Sequence, residues 1–410
     1  MSHEYDALVS QFRESLTQQR YDRVVVHSYC RNADYFLSHL AARKIALEAV
    51  TPTEVSNYLR LAVRQFRRRH GRAPARYWVS IPRSGIHGLL RLALKRWPPE
   101  PATSDAGELL CREVCDQYQT WLREERGLAV ASIDALMWEA RYFCAWYIGR
   151  SDTPSFMDLG IQDVDSYFEM RAPGLRRKSL KDVAERLRSL MRHLHRTGRT
   201  AVDLAPQIIA PMLYAYETIP STLSLDQIAT VLKSARKDQS PMGLRDYAIL
   251  QLLSTYGLRA GEITHLKLND IDWRADTLHI HHSKTGAHSL LPLLEPVGEA
   301  LINYLRDGRP QTDTREIFIR SRAPYRRMVR IYSEVLRRME AAGVKPSGKR
   351  GPHIFRHARA VSLLRASVPR KVIGDVLGHR STEATIPYLK LATEDLRAIA
   401  LEIPGLAVRS

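Results

Sequence analysis

Cysteine is scarce in this chain: Cys30, Cys111, Cys115 and Cys144 are the only four in 410 residues. They form no C-x-x-C pair, and Cys111 and Cys115, four apart on one face of an expected helix, have no further ligand nearby to complete a metal site. The cysteines therefore give no support to a metal site, and reduced, partly buried thiols are expected. Long apolar runs are missing too. No stretch reaches the roughly 18 residues that span a bilayer. The opening Met-Ser-His-Glu-Tyr-Asp has neither the basic start nor the apolar stretch of a secretory signal. The expectation is a cytoplasmic, nucleoid-associated protein with no membrane segment. Acidic residues are the minority, 44 Asp and Glu against 62 Lys and Arg, for a net charge of +18 and a pI near 9.9. That balance favours a polyanionic partner without naming one.

What is present falls into three stretches. Proline-rich breaks at Trp97-Pro-Pro-Glu-Pro-Ala-Thr-Ser-Asp and between Ala205-Pro-Gln and Ile219-Pro-Ser-Thr resist helix formation and read as linkers. The expected domains are residues 1–100, 106–207 and 218–410, all of ordinary domain size. The first two read as helical copies of one unit. Asn32-Ala-Asp-Tyr-Phe-Leu and Val55-Ser-Asn-Tyr-Leu in the first are echoed by Glu139-Ala-Arg-Tyr-Phe-Cys and Val164-Asp-Ser-Tyr-Phe in the second. Each continues into a leucine-rich helix, at 86–94 and 183–194. Each also carries a basic run, with Arg64, Arg67 and Arg68 in the first and Arg176, Arg177, Lys178, Arg188 and Arg192 in the second. A third run, from Arg320 to Arg338, includes Arg326 and Arg327. Such density suits phosphate neutralisation, although most charge runs are solvated faces.

The third stretch reads as helices at 225–234, 244–256, 296–307, 327–342, 353–366 and 369–377, with Thr222 or Ser224 as the first N-cap. Asp276 to Leu293 alternates like a β-hairpin turning near Lys284-Thr-Gly. The fold class expected is mainly α with a small antiparallel β-sheet. In that hairpin His279 and His281 share a face and His282 takes the other. Asp270 and Asp272 sit in a turn and suit capping better than metal binding.

Six residues stand out: Arg259 in Tyr-Gly-Leu-Arg-Ala-Gly-Glu, Lys284 in Ser-Lys-Thr-Gly, His353 and Arg356 in His-Ile-Phe-Arg-His, His379 closing Leu-Gly-His, and Tyr388 nine residues later. Transfer at a phosphodiester needs positive charge on the non-bridging oxygens as the transition state forms. Arg259 and Arg356 suit that task, since a guanidinium is a rigid, permanently charged fork that fits phosphate. Tyr388 is the candidate nucleophile; its phenol, with an ordinary pKa near 10, needs neighbouring cations and a base to lose its proton. Glu262, one turn after Arg259, is placed to orient its guanidinium. His357 is expected to point away from His353 and Arg356.

The order and local setting of these six residues resemble the tyrosine recombinase (phage integrase) family over roughly the last 190 residues, and the long form points to its mobile-element integrase or transposase type. Phe355 stands where family members usually have leucine, and Pro387 directly precedes Tyr388. The resemblance implies site-specific DNA recombination without metal or other cofactor. In it Tyr388 forms a 3′-phosphotyrosyl intermediate, Lys284 protonates the departing 5′-oxygen, His353 serves as general base or proton shuttle, and His379 donates to a phosphate oxygen. It implies a multidomain DNA clamp, two helical N-terminal domains plus an integrase-like catalytic domain. The second helical segment then stands where the family's core-binding domain is found. The first is additional, and it either lengthens the footprint, binds a separate site or contacts a partner. Partners implied are double-stranded recombination sites, a homotetramer on synapsed DNA exchanging strands through a Holliday junction, and companion recombinases or accessory factors. An amphipathic stretch at 393–401 would, as in relatives, dock into a neighbouring subunit. Two alternatives stay open: a type IB topoisomerase-like or hairpin-end resolving enzyme, and a non-enzymatic DNA-binding regulator that reads residues 366–389 as a helix-turn-helix.

Overall fold

The computed structural model describes residues 5–75, 77–94, 96–99, 105–150, 154–214, 221–282, 286–346, 348 and 350–378. Among them the structure is mostly helical with one three-stranded antiparallel sheet, as expected. No helix among the described residues is long and apolar enough to cross a membrane. The chain forms two compact units. One comprises residues 1–99 together with 218–410, the other residues 100–217.

The N-terminal part of the first unit is a bundle of α1 (Asp6–Gln18), α2 (Arg23–Ala42), α3 (Pro52–His70) and α4 (Ser80–Ala93). Local chemistry sets the helix ends. Asp22 accepts from the Val24 N–H and Thr51 from the Glu54 N–H, Pro52 opens α3, and Gly71 closes it at φ 65°. The core gathers Phe12, Phe36, Leu40, Val55, Leu59, Ile86 and Leu90.

The second unit repeats the plan with α5 (Ala106–Glu124), α6 (Val130–Ile148), α7 (Ile161–Arg171) and α8 (Arg177–Arg196), around Tyr118, Phe143, Val164, Tyr167, Leu187 and Leu194. Its cysteines are unpaired. Cys115 and Cys144 are buried and share a hydrogen bond, and burial pushes the Cys111 thiol up to about 11. Burial, with help from Arg196, depresses His193 to about 4.

In the remaining part of the first unit, α9 (Leu225–Arg236) starts on a capping box in which Ser224 and Gln227 bond each other's backbone N–H, so Ser224 rather than Thr222 is the cap. Helix α10 (Pro241–Tyr256) is apolar nearly all round and occupies the centre, packed by α9, α12 (Glu295–Asn303), α13 (Tyr332–Ala341) and α14 (His353–Arg365). After the short α11 (Ala260–His265) come β1 (Ile271–Asp272), β2 (Thr277–His282) and β3 (Ala287–Pro292). The β2–β3 register runs from Thr277↔Pro292 to His282↔Ala287. Helix α15 (Arg370–Leu377) ends the described chain.

The expected helix at 327–342 begins only at Tyr332. Upstream the chain is extended and pairs with 318–320: Met328 N–H donates to Phe318 O and Arg320 N–H to Arg326 O. Arg326 and Arg327 therefore lie on an irregular edge and not on a helix face.

One charged cluster holds this core. Asp246, 1% exposed on α10, accepts hydrogen bonds from Arg245 at 2.9 Å, Arg337 at 2.6 Å and Arg338 at 2.9 Å, and Arg338 also reaches Asp238 at 2.8 Å. Asp246→Ala leaves these guanidiniums without their shared acceptor. It is expected to destabilise this unit by about 3–5 kcal/mol, read as a lowered urea midpoint with an unchanged slope.

Candidate active site

The Tyr-Gly-Leu-Arg motif is a sharp exit from α10. The Tyr256 hydroxyl donates to Pro292 O at 2.7 Å and accepts from the Leu294 N–H at 3.0 Å, which ties the helix end to the outgoing strand β3. Gly257 takes a left-handed φ of 67° with the Leu377 side chain pressed against it, so a side chain there would be strained and crowded. Leu258 is buried, and Arg259 becomes the N-cap of α11.

Glu262 then grips Arg259 twice. Its carboxylate accepts from the Arg259 backbone N–H and from its guanidinium, each at 2.7 Å. Behind it His282 Nδ1 lies 2.7 Å from the same carboxylate, and Nε2 lies 2.8 Å from the Ser289 hydroxyl. Burial alone would push the Glu262 carboxyl up. The hydrogen bonds from His282 and from the Arg259 backbone and guanidinium outweigh that, and hold it below the usual range. It is thus an anionic bracket that fixes the guanidinium.

The other arginine arrives from α14. Arg356 is 3% exposed; it donates to Gly257 O at 2.9 Å and to Leu377 O. Arg259 donates to the next carbonyl, Gly378 O, at 3.0 Å. Two guanidiniums from elements about a hundred residues apart thus meet on consecutive carbonyls at the C-terminal end of α15, one residue before His379. Gly378 is left-handed at φ 60°, and a Cβ there would lie 2.3–2.5 Å from atoms of the His282 ring.

His353 opens α14 one turn before Arg356 and is exposed. Its ring stacks on His357 with centroids 5.8 Å apart. This corrects the expectation that His357 points away: residues four apart on a helix share a face, so His357 sits beside His353. Lys284, His379, Tyr388 and the 393–401 stretch lie outside the described residues. Of the other histidines of the hairpin, His281 contacts Asp270 at 3.2 Å and faces His288. Asp270 caps the Lys267 N–H, and Asp272 accepts from the N–H groups of Arg274 and Ala275.

His282 and Ser289 were not singled out from sequence as parts of this assembly. The available signal was strand alternation, which made His282 the inward-facing histidine of β2, and the burial pattern agrees. Gly378→Ala is expected to slow cleavage about 10- to 100-fold, because the new methyl must push either His282 off Glu262 or the Gly378 carbonyl off Arg259. The check is a double-mutant cycle. His282→Ala should cost less in the Gly378→Ala background than in the parent, and simple additivity would sink the coupling.

The chain and its fold are similar to known proteins. The sequence profile described as "Phage integrase family" matches residues 221–395. A Sinorhizobium fredii (strain NBRC 101917 / NGR234) protein, whose name, integrase/recombinase y4gC, is itself provisional, is 66% identical over 190 residues, 46% of this chain and 99% of that protein. The tyrosine recombinase XerD of Ralstonia nicotianae is 27% identical over 310 residues, 74% of this chain and 94% of its own length. Among solved structures, a lambda integrase tetramer bound to a Holliday junction aligns with a TM-score of 0.53 at 17% identity, over 77% of this chain and 87% of that one, a likeness of fold.

Proposed function

The chain belongs to the phage integrase family and is a tyrosine site-specific recombinase, and on that footing we propose that it cuts and rejoins duplex DNA at specific sites as the integrase or transposase of a mobile element, on the nucleoid. The observation that carries the reading is the convergence of Arg259 and Arg356 on the turn that leads into His379 and, nine residues later, Tyr388. In this reading both guanidiniums donate to the non-bridging oxygens of one phosphodiester, where they offset the charge that builds in the pentacoordinate transition state.

In this reading the Tyr388 oxygen attacks phosphorus, the bond to the 5′-oxygen breaks, and Lys284 delivers the proton that the departing 5′-hydroxyl needs. His353 takes the phenol proton, and His379 donates to a phosphate oxygen. The 3′-phosphotyrosyl bond keeps the energy of the linkage it replaces, so the 5′-hydroxyl of a second strand reverses the step without ATP. Repeating the exchange in pairs within a tetramer passes through a Holliday junction, the assembly in which the lambda integrase was solved. The first helical bundle, beyond the second one that would serve as core-binding domain, supports a mobile-element role over a compact two-domain recombinase.

The test is a suicide duplex nicked beside the scissile phosphate, drawn from DNA flanking the gene, so that the short 5′-hydroxyl fragment diffuses away. The expected result is a denaturation-resistant protein–DNA adduct joined through the 3′-phosphate, whose peptide map ends on Tyr388. An adduct joined through a 5′-phosphate, or mapped to another residue, overturns the assignment.

A further inference from the structure

The two N-terminal bundles match element for element. Helices α2 and α6 begin at Arg23 and Val130, and with those starts superposed Ala33, Tyr35 and Phe36 fall on Ala140, Tyr142 and Phe143. Ala33, Phe36, Ala140 and Phe143 are buried, whereas Tyr35 and Tyr142 are both exposed. Helices α3 and α7 begin at Pro52 and Ile161, which lays Val55 on Val164 and Tyr58 on Tyr167. The ring pairs correspond: Phe36 meets Tyr58 edge-on at 5.1 Å, and Phe143 meets Tyr167 edge-on at 5.1 Å. Ile86 and Leu90 of α4 correspond to Val183 and Leu187 of α8, and all four are buried.

The copies differ in where their cations go. Residues 1–99 hold 17 Lys and Arg against 7 Asp and Glu, a net +10, while residues 100–217 hold 15 against 18, a net −3. In the second copy five arginines are tied to carboxylates, some buried and some at the surface. Arg171 and Arg186 flank the buried Glu139, which also accepts from the Tyr167 hydroxyl at 2.6 Å. Arg188, Arg196 and Arg199 pair with Glu185, Glu125 and Glu113. The first copy replaces Glu139 by Asn32 and Arg171 by Ala62.

Helix α7 stops at Arg171 and turns through Ala172-Pro173-Gly174, but α3 runs eight residues past the matching Ala62, to His70. That two-turn extension reads Val-Arg-Gln-Phe-Arg-Arg-Arg-His. Arg64, Arg67 and Arg68 are exposed on it, and their guanidiniums have no ion pair or hydrogen bond among the described residues. With Arg60, which also donates to the Asn57 side chain, they form a stripe at i, i+4, i+7 and i+8, opposite the buried Val55 and Leu59. From Arg60 to Arg68 the helix rises ~12 Å, about the width of the DNA major groove between its two phosphate walls.

From this we infer that the first bundle is a second duplex-DNA-binding copy of the core-binding unit, and that the arginine stripe on the extended half of α3 is its phosphate-contacting surface. The inference rests on the recombinase reading only for the choice of DNA as the polyanion. A guanidinium with no carboxylate partner keeps its full charge for a phosphate and releases counterions when it binds, whereas a paired one must first break its own bridge. The first copy therefore supplies more of the chain's salt-dependent grip on duplex than the second, although the second holds nearly as many Lys and Arg.

The test uses the full chain carrying R64Q/R67Q/R68Q, a labelled 40-base-pair duplex containing the cleavage site, and a titration of affinity across salt concentration. Losing three phosphate contacts should lower the slope of log K against log salt by roughly 2–3 and weaken binding at about 0.15 M salt by tenfold or more. The comparison chain R188Q/R196Q/R199Q should lower the slope by less than about one. Because all three residues of the first triple are exposed, its melting temperature should match the parent's, which separates lost contacts from lost fold. An unchanged slope in the first triple, or equal slope losses in the two triples, overturns the inference. So does a parent chain that binds anionic vesicles or a polyglutamate peptide more tightly than duplex. Equilibrium binding needs no strand cleavage, so a missing covalent adduct would count against the catalytic reading and leave this measurement standing.

Discussion

A Tyr388→Phe chain binds duplex as tightly as the parent and forms no covalent adduct on the nicked substrate, a loss of at least ~10⁴-fold in cleavage. The change deletes one oxygen and keeps the ring, so affinity supplied by arginines and by the helical bundles is untouched, while the atom that must bond to phosphorus is gone. Water is a poor replacement, because nothing else in the proposed step positions it in line with the 5′-oxygen. The two halves of the result are read separately, by gel shift for binding and by denaturing electrophoresis for the adduct. An adduct surviving in the phenylalanine chain would mean that another residue is the nucleophile. Lost binding together with lost adduct would mean that the substitution had disturbed the fold.

The second large effect is at Arg356. Arg356→Lys keeps the charge, yet it is expected to slow cleavage on the order of 10²–10³-fold, the range seen when a single donor to a transition-state oxygen is removed. The guanidinium spans Gly257 O and Leu377 O, and in the proposed step it also donates to the phosphate. An ammonium carries three donors on one atom and cannot reach two carbonyls from separate elements and a phosphate together. Buried carbonyls that lose their donor should also lower stability by about 1–3 kcal/mol, which a melting curve reports independently of activity. The discriminating measurement is single-turnover cleavage at saturating DNA. If Arg356→Lys cleaves there at the parent rate, the arginine serves only to pin α15 to α10, and its proposed role at the phosphate fails.

Much of this architecture was readable in advance, and the reason is local. Helices α9 and α15 announce themselves by their 3.6-residue apolar period, α9 also by its cap pair Ser224 with Gln227, and the hairpin by its alternation. Segment 327–331 departs from the helical expectation because Met328 bonds back to Phe318, a pairing that no window along the helix contains. His357 departs from expectation for a local reason: it stands i+4 from His353, and a helix puts such residues on one face. The support that His282 gives Arg259 is not legible in the sequence, since its partners Glu262 and Ser289 arrive from other elements and meet only in the folded chain.

The sequence alone determined which chemical groups this chain possesses and the family to which it belongs, because cations, imidazoles and a phenol in fixed order and setting are a property of the string. It also determined that the chain is basic. Tertiary structure decided which of those cations are at liberty. Arg171, Arg186 and Arg338 are occupied by Glu139, Asp238 and Asp246, whereas the guanidiniums of Arg64, Arg67 and Arg68 on α3 have no such partner among the described residues. It also decided that Arg259 and Arg356 share one turn of backbone. A charge is written in the residue, but its availability depends on which distant carboxylate or carbonyl the fold brings within about 3 Å of it.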